Sequence, residues 1–130
     1  MTALKASHPL RVFVVEDHPD TLVALCLYLK VVGHNVRSAR TKEEALRKIP
    51  EANCDVLISD IGLPDGNGWE LIREIGDCRP HFAIALSGYG TEADRERSAK
   101  AGFRHHLIKP VSLDKLAAVL DEAVMDVHGR

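Results

Sequence analysis

Residues 55–68 read DVLISDIGLPDGNG. The first half is a short apolar run that stops on Asp60. The second half crowds glycine, proline, asparagine and aspartate, the residues that turn a chain. Such a run, closed by turn residues, reads as a strand buried on both faces; a strand with one wet face alternates apolar with polar. In an open α/β sheet the carboxyl ends of the strands share one rim, where ligands bind. The other strand ends therefore decide what Asp60 is for.

Outward from this stretch the pattern repeats. Residues 11–15 are a second short apolar strand. A helix follows over 19–32, with Leu22, Leu25, Cys26 and Leu29 at helical spacing, Pro19 suiting its first turn and Gly33 its stop. Residues 35–39 form another strand. Thr41 and Glu44 have capping-box spacing, which opens a helix running to Ile49 and stopping near Pro50. A third helix spans about 69–75 with Gly76 after it, and Trp69 reads as core. Residues 82–86 are a fourth strand. Thr91 opens a helix that reaches Ala101 and ends at Gly102. Residues 103–108 are a fifth strand despite His105 and His106, which as neighbours on a strand face opposite sides. Ser112 caps a last helix with Leu113, Leu116, Ala117, Leu120 and Val124 on one face. Five strands alternating with five helices specify an α/β fold with a parallel sheet covered on both faces. The expected organisation is one domain over 11–127, a flexible segment over 1–10 and a tail at 128–130.

Composition agrees. A chain of 130 residues, 45% hydrophobic and 28% charged, suits one globular domain. A net charge of −2 gives no basic surface for nucleic acid. No apolar run approaches the ~20 residues that cross a bilayer, and the early run over 12–15 is cut off by Glu16 and Asp17, too short for a signal peptide. Cys26 and Cys54 read as packed side chains, and three widely spaced cysteines fit a reducing, cytoplasmic setting.

The notable polar residues fall at strand ends. Glu16 and Asp17 follow the first strand, Asp60 ends the third, Ser87 follows the fourth and Lys109 the fifth. Three carboxylates on one rim repel one another unless a cation intervenes. A hard divalent ion, Mg²⁺ (or Mn²⁺), answers that need where a phosphoryl group also binds. A lysine and a hydroxyl add donors for phosphoryl oxygens, and a carboxylate can itself attack phosphorus. The rim reads as built to phosphorylate one of its own acids.

Four stretches, VVEDHPD, DVLISDIGLPDGNG, LSGYG and LIKP, resemble in this order the receiver domain of bacterial two-component response regulators. The wording AGF…HHLIKP is most similar to receivers of hybrid sensor kinases or single-domain relatives. The resemblance implies a flavodoxin-like doubly wound (βα)5 fold, strand order 2-1-3-4-5. It implies that Asp60 is the phosphoacceptor, that Asp17 binds the metal directly and Glu16 through water, and that the Gly62 carbonyl is a further ligand. Ser87 then bonds a phosphoryl oxygen and Lys109 pairs with the phosphate. The resemblance also implies a cis Lys109–Pro110 bond that turns the lysine inward. The resemblance implies a histidine kinase or histidine phosphotransfer protein as phosphodonor. Output passes to a downstream protein target through the fourth helix, fifth strand and fifth helix.

Three positions depart from that pattern. His106 stands where most receivers carry tyrosine or phenylalanine, and it is either a switch residue or a plain surface side chain. Gly62 and the bulky Tyr89 bear on the lifetime of the phosphate; shortening Tyr89 to alanine is expected to shorten it. The fourth helix offers only Ala93, Ala99 and Ala101 as apolar contacts, so it should be loosely held and free to move.

Taken singly, each residue has a plainer reading. Asp60 can be a turn former, Glu16–Asp17 a helix-start charge pair, Ser87–Gly88 turn chemistry and Lys109 a solvated edge lysine. Seven histidines show no zinc spacing, and SGYG is no dinucleotide fingerprint. The chain stops soon after its last helix, so output through protein contacts, a relay role or a place within a larger kinase is expected. The alternatives are a receiver-like interaction module that is never phosphorylated, and an aspartyl-phosphate phosphatase. The phosphatase needs a second acid where Gly62 stands.

Overall fold

The structure, a computed structural model, describes residues 8–128. Five strands, β1 (Arg11–Val15), β2 (Asn35–Ala39), β3 (Val56–Asp60), β4 (Phe82–Ser87) and β5 (His105–Ile108), alternate with five helices. The helices are α1 (Pro19–Val31), α2 (Lys42–Ala52), α3 (Gly68–Ile75), α4 (Glu92–Ala101) and α5 (Leu113–His128). All sheet pairings are parallel, in the expected order 2-1-3-4-5. A two-residue ribbon, Gly62–Leu63 against Gly66–Asn67, folds the loop after β3.

The three central strands, β1, β3 and β4, are largely apolar because alternate residues point to opposite faces and both faces are covered, whereas the edge strands β2 and β5 carry polar residues and are less buried. Val12, Val14, Val56, Ile58, Phe82, Ile84 and Leu86 pack with Leu25 and Leu29 of α1 and Leu116, Val119 and Leu120 of α5. Phe13, Val15, Leu57, Ala83 and Ala85 face the other way, toward Ala45 and Ile49 of α2 and Leu71, Ile72 and Ile75 of α3. The two adjacent histidines obey the same rule. His105 reaches Glu122 of α5 (3.0 Å), and His106 reaches Ser98 of α4 (2.9 Å).

Several details differ from the sequence reading. Leu10, assigned to the flexible segment, is fully buried and donates its N–H to His34 Nδ1 at 2.9 Å, so ordered packing starts before β1. Residues 1–7 of that segment lie outside the described residues, as do 129 and 130 of the tail; His128 is the last residue of α5. Helix α2 runs through Pro50 to Ala52. A proline so near the end removes only its own N–H from the ladder, and Asn53 then closes the helix in the left-handed region (φ 53°). The Thr41 cap forms, but Glu44 accepts from the Arg40 N–H rather than from Thr41. The reciprocal capping box occurs instead at Asn67 and Glu70, where α3 begins. On α5, Leu116 and Leu120 are buried as expected and Val119 and Ala123 join them, while Leu113 is exposed. On α4, Ala93 and Ala99 are exposed and the buried side chain is Ser98. Among the described residues no helix is long and apolar enough to cross a membrane.

Candidate phosphoryl-acceptor site

Parallel register sets the strand ends level. Val15 pairs with Ala39 and with Ser59, Asp60 with Leu86, and Ser87 with Ile108. The ladder continues past the strands, with Ile61 N–H to the Leu86 carbonyl and Lys109 N–H to the Ser87 carbonyl, both 2.8 Å. The backbone register therefore brings three acids and a lysine from three strand ends to one rim. Capped α3 follows at once, and Gly68 lets it: a Cβ there would stand 2.7 Å from the Asp60 carbonyl oxygen.

Carboxylate oxygens of Glu16, Asp17 and Asp60 lie within 4.8 Å of one another. The Lys109 ammonium is 2.6 Å from Glu16 Oε1 and 2.7 Å from Asp60 Oδ2. The peptide before Pro110 is cis. Asp60 Oδ1 accepts the Gly62 N–H at 3.2 Å, and Glu16 Oε2 accepts the His18 N–H at 3.0 Å. Glu16 is fully buried, Asp60 nearly so and Asp17 partly open. Burial raises the Glu16 carboxyl above its ordinary range, against the pull of the Lys109 ammonium and the His18 N–H and with the help of the Asp60 charge. Burial alone would lower Lys109, but its hydrogen bonds to Asp60 and Glu16 outweigh that and hold it above the usual lysine value. Three carboxylates against one ammonium leave a formal surplus of two negative charges, which fits a divalent cation with oxygen ligands.

Ser87 stands at the rim on β4, yet its hydroxyl turns to other partners. It donates to the Tyr89 carbonyl and lies 2.7 Å from His106 Nε2. The Tyr89 side chain is 78% exposed; its backbone, not its ring, touches Ser87. Ser98 escaped the sequence reading, and Trp69, which does pack against the core, reads from the sequence as core alone. Ser98 Oγ lies 2.9 Å from His106 Nδ1 and accepts the Trp69 indole N–H at 2.9 Å. Trp69, expected as core, is half-buried and carries the Arg97 guanidinium 4.0 Å above its ring. The available signal was β5 alternation, which aims His106 at a helix with no large apolar side chain to receive it.

Comparison with known proteins agrees with this geometry. The profile of the response regulator receiver domain matches residues 12–121. The chain is 38% identical over 103 residues to an uncharacterized 14.6 kDa protein of Leptolyngbya boryana, covering 77% of this chain and 79% of that one. It is 28% identical over 120 residues to the sensor protein EvgS of Escherichia coli (strain K12), covering 92% of this chain but 10% of that protein. Among solved structures, a response regulator receiver domain protein (CheY-like) from Methanospirillum hungatei JF-1 superposes with a TM-score of 0.79 at 30% identity, covering 91% of this chain and 98% of the other.

Proposed function

Since the chain belongs to the response regulator receiver domain family, we propose that Asp60 takes a phosphoryl group from a phosphohistidine on a histidine kinase or histidine phosphotransfer protein. In this step an Asp60 carboxylate oxygen attacks phosphorus and the new O–P bond forms. The N–P bond breaks, and the imidazole leaves with the electron pair. Hydrolysis later returns the carboxylate and inorganic phosphate. One observation carries the reading: a single ammonium spans Glu16 and the proposed acceptor Asp60, with Asp17 beside them. Lys109 is placed to pair with the transferred oxygens, and Ser87 supplies a hydroxyl at the same rim. Glu16, Asp17, Asp60 and the Gly62 carbonyl would hold Mg²⁺ or Mn²⁺, which when bound neutralises phosphoryl charge.

Docking is proposed on α1, where Val23, Leu27 and Val31 expose a row of apolar side chains four residues apart. Output is proposed through α4, β5 and α5 to a further protein, within a cytoplasmic relay. Incubation with Mg²⁺ and acetyl phosphate, followed by mass measurement, tests the acceptor. The expected outcome is one added phosphoryl group, absent in Asp60→Asn. No gain with any donor would leave an interaction module instead.

A further inference from the structure

The chain's only tryptophan is joined to the rim by side chains alone. Trp69 Nε1 meets Ser98 Oγ, Ser98 Oγ meets His106 Nδ1, and His106 Nε2 meets Ser87 Oγ, at 2.9, 2.9 and 2.7 Å. Ser87 ends the series on the Tyr89 carbonyl. The chemistry of the two ends orients everything between them. An indole N–H can only donate, and a carbonyl can only accept. Ser98 therefore accepts from Trp69 and gives its own proton to His106 Nδ1. The neutral ring carries its proton on Nε2 and donates to Ser87, whose proton goes to Tyr89. Every donor has an acceptor in this arrangement, and none is used twice.

We infer that His106 is a positioning residue for Ser87, and that the series Trp69–Ser98–His106–Ser87 ties the occupancy of the Asp60 site to α3 and α4 with the ring held inward throughout. The inference rests on the reading of Asp60 as phosphoacceptor. His106 fills one acceptor place on the Ser87 hydroxyl and leaves that hydroxyl's proton free to be redirected. When Asp60 carries a phosphoryl group, the Ser87 O–H turns its hydrogen bond from the Tyr89 carbonyl to a phosphoryl oxygen. Any shift of Ser87 then moves a ring that is fastened at its far nitrogen to Ser98. Ser98 is the buried side chain of α4, so the pull reaches the inward attachment of that helix. It reaches Trp69 of α3 at the same time. An apolar ring at position 106 could not transmit in this way, because nothing would bind its far edge.

Tryptophan emission and mass, followed together on the full chain with Mg²⁺ and acetyl phosphate, separate the possibilities. The wild type should change its Trp69 emission in step with the added phosphoryl mass. Ser98→Ala should gain mass at a rate within about twofold of wild type, since it leaves the rim intact, but lose most of the emission change. His106→Phe should lose the emission change and gain mass about fivefold more slowly, the equivalent of one neutral hydrogen bond. His106→Gln, whose amide nitrogen can take the place of Nε2, should recover the rate without recovering the emission. A full emission response in Ser98→Ala, or wild-type behaviour of His106→Phe on both readouts, would overturn the inference. Wild-type mass gain with silent Trp69 would sink it too, leaving the acceptor reading intact. Absence of any mass gain in the wild type would remove both.

Discussion

His34 accepts the Leu10 N–H on Nδ1, and burial lowers its pKa from the ordinary 6.5, with the Asp121 charge opposing. The folded chain thus binds this proton less readily than the unfolded chain does. Stability should be full well above 6.5 and fall as pH drops through 6.5 toward the lowered folded value. Thermal melts between pH 7.5 and 5 should show that loss in the wild type, on the order of a few degrees. His34→Gln, which can still accept from Leu10, should melt with a shallower pH dependence; an equal slope would remove His34 as the cause. The same scale shows what could be read in advance. Asp60, Glu16, Asp17 and Lys109 were legible because each stands where an apolar run stops. Ser98 was not, because a serine on a charged helix declares no inward face until its histidine partner is placed.

Helix α3 starts against the carbonyl of Asp60 with no room for a side chain at Gly68. Gly68→Ala must push backbone aside, so urea unfolding should show a loss of about 1–3 kcal/mol. A loss within error would show that the helix start can yield. On α1, Leu27→Glu tests the proposed docking row. It should slow transfer from a phosphohistidine protein about tenfold while leaving uptake from acetyl phosphate unchanged. Equal slowing with both donors would mean that the rim itself was disturbed. Most elements were legible from apolar spacing and caps. The exceptions have local causes: α2 outlasts Pro50 because its last turn needs few ladder bonds, and α4 buries a hydroxyl where spacing led to alanines.

Across the whole molecule, the formal surplus of negative charge at the rim is a strain that a bound divalent ion would relieve. Mg²⁺ should raise the unfolding free energy, by about 2.7 kcal/mol at a hundredfold excess over its Kd. The rise should shrink in Asp17→Asn, and calorimetry with and without chelator measures both. A parallel sheet covered on both faces was legible because five short strands alternate with helices, while its doubly wound order was implied only by the resemblance to receiver domains. What no single segment announced is how level the strand ends lie. The ladder runs one residue past β3 and β5, so the backbone next to Asp60 and at Lys109 is held by sheet hydrogen bonds. Backbone amides of Ile61 and Lys109 should exchange with deuterium only when the whole molecule unfolds, while those of α4 should exchange through far smaller openings. Chemistry on an anvil beside a lightly fastened flap is the design this implies: the blow lands on the sheet, and the recoil is felt next door.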